Sequence, residues 1–203
     1  MKHFISASTS SVYGDNNKFP LIESYNTDKP LSLYAASKKS NEVIGYSYSY
    51  CFKLPITFVR FFTVYGPNGR PDMSLFKFVN SAFENKPIDL FNKGNHERDF
   101  TYIDDVVHIL IKLINKPSKE NIPYNIFNIG SNNPRKLKEF IKIIENQTKR
   151  KIKKKLLNLQ LGDIKKTHAS NKKILNYLKI NDNFTNIEEG IKNFINWYKK
   201  IYK

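Results

Sequence analysis

The sequence has a single cysteine, Cys51, so it can form no internal disulfide, and a reducing, cytoplasmic setting is expected. Cys51 itself is read as a buried helix residue rather than a nucleophile. No stretch approaches the roughly 18 apolar residues of a membrane-spanning helix, so no membrane partner is expected. The opening Met1-Lys2-His3-Phe4-Ile5-Ser6 turns polar too quickly to suggest a secretory leader. His3, His96, His108 and His168 share no metal-ligand spacing, so no metal is expected. Acidic residues are scarce, 18 against 34 lysines and arginines, for a net charge of +16. Such an excess raises nucleic acid as a partner. Here the surplus is nearly all lysine, spread along the chain among abundant Asn and Ile, and only Lys149 to Lys155 is a true basic run. That run reads as a solvated turn and strand edge. Attraction of a small anionic ligand is the simpler use of the charge, and nucleic acid is not expected.

What is present is enough for a packed core: 40% hydrophobic residues and 14% aromatics. Phe4 to Ala7 reads as a buried strand opening into the polar Ser8-Thr9-Ser10-Ser11. Leu33 to about Phe52 is helical, interrupted only by Gly45. Ile56 to Phe62 is β-rich, and Tyr65 to Pro71 carries turn chemistry. Helices are predicted at Met73–Asn85, Asp104–Ile114 and Leu137–Thr148, and strands at Ile88–Phe91, Tyr124–Ile129 and Ile152–Leu157. Ile187, Ile191, Phe194, Ile195 and Tyr198 recur at helical spacing near the end. Strands alternate with helices, so the class is α/β with a mainly parallel sheet.

The chemical signal is Tyr34-Ala35-Ala36-Ser37-Lys38. Four residues apart on a helix, Tyr34 and Lys38 share a face. An ammonium beside a phenol favours the phenolate, which can serve as a general base on a sugar hydroxyl. Thr9 precedes Tyr34 by 25 residues, at the end of the first strand.

With these residues the sequence resembles the extended short-chain dehydrogenase/reductase family, specifically its NAD-dependent epimerases and dehydratases. The resemblance runs on through Arg60 to Met73, Arg98 to Val106, Phe127 to Gly130 and Gly162-Asp163. It is most similar to the UDP-glucuronate 4-epimerases. Ser10 and Ser11 stand where sugar 4,6-dehydratases place Asp-Glu, and the related decarboxylases carry Glu at the Ser11 position. Thr63 stands where UDP-galactose epimerases usually carry Asn, and Arg70 lies in a Gly-Arg-Pro-Asp-Met block.

The resemblance implies Thr9, Tyr34 and Lys38 as the catalytic set. Tyr34 and Lys38 would also touch the cofactor, NAD. Thr63 and Arg70 would face the sugar, with Arg70 on its carboxylate. Arg98 would hold the diphosphate of a UDP-sugar, Asp163 the ribose, and Gln160 the diphosphate or ribose. Leu161 replaces the usual proline before Gly-Asp, which departs from the pattern. Phe76 and Phe91 would shape the uridine pocket.

The implied fold is the C-terminal part of a Rossmann-type domain with a small α/β substrate-binding domain. Residues 1–66 and 98–116 would form the dinucleotide-binding remainder, and 67–97 with 117–203 the nucleotide-sugar unit. The glycine-rich strand-to-helix turn that cradles a pyrophosphate is not in the sequence, nor is its acidic ribose partner. About a hundred residues of opening βαβ structure would precede Phe4 in the family. The chain alone is therefore expected to bind NAD poorly and to be inactive. Its partner would be the missing N-terminal half or, in a homodimer, a second copy. A non-catalytic fragment and another UDP-hexose epimerase are the alternatives.

Overall fold

The computed structural model describes residues 1–181 and 183–203. It is an α/β structure with parallel strands. The first strand, β1 (Phe4–Thr9), leads through a single 3-10 turn and an irregular stretch to α1 (Leu33–Phe52), which returns the chain to β2 (Ile56–Phe61). The helix starts where the Ser32 hydroxyl accepts the Ala35 N–H at 3.2 Å, and ends where Lys53 turns left-handed two residues before Pro55. β2 runs parallel to β1, with Phe4 opposite Ile56 and Thr9 opposite Phe61. On its other side β2 runs parallel to β6 (Tyr124–Ile129). β1 is thus an edge strand of the order β1-β2-β6. It is less buried than expected: Phe4 is exposed, and only Ser8 and Thr9 are well covered.

Beyond β2 come β3 (Thr63–Tyr65), α2 (Ser74–Glu84), β4 (Ile88–Leu90), β5 (Glu97–Tyr102) and α3 (Ile103–Ile114). After β6 follow β7 (Pro134–Lys136), α4 (Leu137–Thr148), β8 (Lys154–Leu156), α5 (Lys172–Leu178) and α6 (Ile187–Tyr202). β5 joins β3 in parallel and β7 in antiparallel, while β4 pairs with β8. The basic run at 149–155 forms the turn and edge strand expected of it: Lys154 pairs with Glu145 at 2.8 Å, and the Arg150 guanidinium lies over Phe83.

Two larger hydrophobic cores result, beside a small cluster of Val12, Tyr13, Leu21, Phe62 and Ala169. One packs Val59 of β2 and Phe127 and Ile129 of β6 against Val106, Ile109 and Leu113 of α3 and Ile174, Leu175 and Leu178 of α5. The other packs α2, α4 and α6 around Tyr65, Phe100 and Tyr102. β6 and α5 bury their apolar faces in the first core, and Tyr65, Phe100 and Tyr102 are covered by the second. Among the described residues no helix is long and apolar enough to cross a membrane.

α1 departs from an ordinary surface helix. It buries a narrow stripe of small or polar residues, Ala35, Glu42, Gly45 and Ser49. Leu33, Val43, Ile44, Tyr46, Tyr48, Tyr50 and Phe52 remain exposed. Cys51, expected to be buried, is exposed on the same helix. Apolar residues lie all around this helix, so periodicity could not say which of them would face the sheet.

Candidate functional site

The C-terminal end of β1 carries Thr9, whose hydroxyl oxygen caps the following turn by accepting the Ser11 N–H at 3.2 Å. The same hydroxyl donates to Ser11 Oγ at 3.2 Å. Tyr34 and Lys38 lie on the first two turns of α1. The Lys38 ammonium donates to the carbonyl of Ala7, on β1, at 3.0 Å and sits 6.0 Å from the centroid of the Tyr34 ring. The helix thus brings the Tyr/Lys pair to the strand end that holds Thr9. Tyr34 is 56% exposed, so its phenol opens to solvent. The C-terminal ends of parallel strands are where open α/β sheets place their ligands.

A cleft of about 370 Å³ borders the second core, with Thr63, Phe91, His96, Arg98 and Asp163 among its walls. Phe91 begins a short 3-10 turn after β4 and is half-buried. Arg98, on β5, donates to Asp163 Oδ1 at 3.1 Å and to the carbonyls of Lys165 and Glu97 at 3.1 and 3.2 Å. Burial lowers the Arg98 pKa, and Asp163 opposes the shift. Asp163 also meets His96, whose Nε2 lies 2.9 Å from Oδ2 without the alignment of a hydrogen bond. Burial, then the neighbouring Arg98 charge, hold the His96 pKa below its ordinary value against the pull of Asp163.

A second cleft, of about 200 Å³, shares Thr63, Met73 and Ser74 with the first and includes Arg70. Arg70 is largely solvent-exposed and forms a two-pronged ion pair with Asp72, two residues on. The Asp72 contact raises the Arg70 pKa above its ordinary value.

Two expected residues are placed differently. The Gln160 side chain is exposed and outside both clefts, and its carbonyl accepts the Asp163 N–H at 3.2 Å. Phe76 lines the smaller cleft but is 8% exposed and packs edge-on against Phe194, Trp197, Tyr198 and Tyr202, so most of its surface serves the core. An ion pair of Arg98 with its neighbour Asp99 does not form. Asp99 is wholly buried and accepts from Ser131 N and Oγ, Asn132 N and Ala169 N, at 2.7, 2.8, 3.1 and 2.9 Å.

Sequence reasoning set His96 aside for want of metal spacing, although it stands two residues before Arg98 in a recognised block. It also passed over Lys77 in the larger cleft. Among the described residues no group of three His, Cys, Asp or Glu side chains is placed to hold a metal.

Residues 1–130 match the model of the NAD dependent epimerase/dehydratase family. Protein CapI of Staphylococcus aureus is 42% identical over 100% of this chain and 65% of its own length. A UDP-glucuronate 4-epimerase of Thermodesulfobacterium geofontis is 42% identical over 98% of this chain and 60% of its own. The crystal structure of UDP-glucuronic acid 4-epimerase from Bacillus cereus, in complex with UDP-glucuronic acid and NAD, superposes with a TM-score of 0.90 at 32% identity. That match covers 98% of this chain and 62% of the other. The chain thus spans less than two thirds of the length of each of these relatives. With a family match over residues 1–130 and the Tyr34/Lys38 pair at the end of a parallel strand, the chain belongs to the NAD dependent epimerase/dehydratase family.

Proposed function

We propose that this chain supplies the acid–base centre and sugar-nucleotide site of an NAD-dependent 4-epimerase that interconverts UDP-glucuronate and UDP-galacturonate. The observations that carry the proposal are the exposed Tyr34/Lys38 pair held at the end of β1, the strand that ends on Thr9, and a cleft that holds Arg98 and Asp163. The relatives named UDP-glucuronate 4-epimerase support the choice of sugar.

The residues present fit the nicotinamide end of NAD. Lys38 is anchored at a strand terminus, and Tyr34 is open to a ligand there. The pyrophosphate needs a glycine-rich turn that these 203 residues do not contain. NAD, when bound, supplies a reversible hydride acceptor for the sugar C4. Tyr34 takes the proton from the C4 hydroxyl, and Lys38 favours its phenolate. Thr9 hydrogen-bonds the same oxygen. Arg98 holds the diphosphate, and Asp163, released from Arg98, takes the ribose. The 4-keto sugar would turn in the cleft, and as hydride returned to the other face of C4, Tyr34 would give the proton back to the C4 oxygen. From glucuronate this intermediate is a β-keto acid, prone to lose carbon dioxide. The Arg70 fork suits the sugar carboxylate and would hold it against that loss. The exposed apolar face of α1 and the open edge of β1 call for cover by a dinucleotide-binding half or a second copy.

The test joins this sequence to a glycine-rich dinucleotide-binding half and follows UDP-glucuronate by product chromatography. UDP-galacturonate should form, and Tyr34→Phe should remove nearly all turnover while UDP-glucuronate binding stays within about threefold. A Phe variant keeping a tenth of the rate would remove Tyr34 as the base. An unreactive wild type that binds no UDP would sink the whole proposal.

A further inference from the structure

We infer that Glu42 and Arg60 are positioning residues that set the register of α1 against the sheet, and with it the placement of Tyr34 and Lys38. The inference rests on the proposed catalytic role of that pair.

Glu42 is one helical turn beyond Lys38 and two beyond Tyr34 on α1. It is 2% exposed, as is Arg60 on β2. The two form a two-pronged ion pair: Arg60 Nε donates to Glu42 Oε1 at 2.8 Å and Nη2 to Oε2 at 2.7 Å. Ser8, next to the Ala7 that holds Lys38, donates to the same Oε1 at 2.6 Å. Tyr124 on β6 donates to the Glu42 carbonyl at 2.9 Å. One residue of α1 therefore touches all three strands of the parallel sheet.

Arg60 is fixed in turn. Its guanidinium lies 4.8 Å from the Tyr13 ring centroid and donates to the Glu23 carbonyl. Burial works against its charge, and Glu42 and Tyr13 together outweigh that, so its pKa stands above the ordinary value.

Elsewhere α1 buries mainly Ala35, Gly45 and Ser49 against the sheet. Such small side chains interlock weakly, so apolar packing alone leaves the helix free to slide or rotate. A charged, two-pronged contact has one geometry that satisfies all its donors. Lys38 and Glu42 then act as successive pins on β1, through Ala7 and Ser8, and so fix the helix turn that carries Tyr34.

The experiment compares wild type, Glu42→Gln and the double variant Glu42→Gln/Arg60→Gln. Crystal structures and calorimetric titration with UDP use the chain itself, and kinetics use the NAD-loaded holoenzyme. A misplacement near 1 Å costs up to about 100-fold in rate. Glu42→Gln should therefore lower kcat by about 10- to 100-fold, with KM and UDP affinity within about twofold. The Lys38–Ala7 hydrogen bond should be lost in its crystal structure. The double variant, which leaves no buried charge unpaired and keeps hydrogen-bonding groups on both sides, should recover most of kcat and the Lys38 contact.

Persistence of the Lys38–Ala7 contact in Glu42→Gln overturns the inference, whatever the activity. So does a parallel loss of kcat and UDP affinity without recovery in the double variant, which marks a pair that only stabilises the fold. If Glu42→Gln does not fold, Ser8→Ala removes one hydrogen bond to Glu42 without stranding a charge. It should lower kcat by about threefold at unchanged KM, and an unchanged kcat overturns the inference. A wild-type holoenzyme inert towards UDP-sugars would end the functional proposal alone, since the crystallographic comparison would still decide whether Glu42 registers the helix.

Discussion

Arg98 on β5 and Asp163 in the loop after β8 are 65 positions apart, yet they meet at 3.1 Å in the wall of the larger cleft. The pair is partly covered, with 20% and 28% of the two side chains exposed. The Asp163 carboxylate thus occupies the guanidinium that the proposed function assigns to a diphosphate. A bound diphosphate would displace Asp163 from Arg98 and leave it available to a sugar hydroxyl.

Arg98→Gln should therefore weaken UDP binding. A charge-assisted hydrogen bond is worth about 1.5–3 kcal/mol, so roughly a 10- to 100-fold rise in Kd is expected by calorimetry. The wild-type affinity should also fall with added salt more steeply than that of the variant. Equal affinities for the two proteins would place the diphosphate elsewhere.

Arg70 is held by Asp72 in the free protein. Asp72→Asn frees the guanidinium and should lower KM for UDP-glucuronate by about twofold to fivefold, leaving UDP-glucose unchanged. Arg70→Ala should cost about tenfold or more in kcat/KM on UDP-glucuronate alone, with pentose product appearing as the keto acid escapes its clamp. Equal losses on both sugars would make Arg70 a structural residue of the turn.

Gly45 lets α1 approach β2. A Cβ there would stand 2.3 Å from Phe58 Cε2 and 2.8 Å from Cζ, and that ring is itself buried. Gly45→Ala should destabilise by about 1–3 kcal/mol despite the better helix propensity of alanine. The corresponding fall in Tm is about 3–10 °C. A rise in Tm would show that the ring has room to move.

Burial first, then the Arg98 charge, depress the His96 pKa in the folded state. The unfolded chain takes up this proton near pH 6.5. Between that value and the lower folded pKa the unfolded state binds more protons, so stability is lost as pH falls through the interval. Urea unfolding midpoints between pH 8 and 5 should drop accordingly, and His96→Gln should flatten the drop. An identical pH dependence in the variant would remove His96 as the source.

Local chemistry was legible in the sequence. The bounds of α1, β6 and α4 follow from propensity and periodicity alone, and the structure places them at Leu33–Phe52, Tyr124–Ile129 and Leu137–Thr148. The four-residue spacing of Tyr34 and Lys38 likewise guaranteed a shared helical face, because helix geometry is local. The three-residue strands β3 and β7 and the seven-residue α5 gave too few residues for a period to emerge. Other features had no local signal. The tertiary structure decided that Arg98 pairs with Asp163 rather than its neighbour Asp99, that β6 and α5 pack with the first sheet, and that Glu42 reaches Arg60, 18 positions on. It also decided that Gln160 and Cys51 face solvent. Propensity and spacing act over one or two turns of chain, whereas these partners meet only after strands and helices have packed, and burial then fixes which charges must find each other.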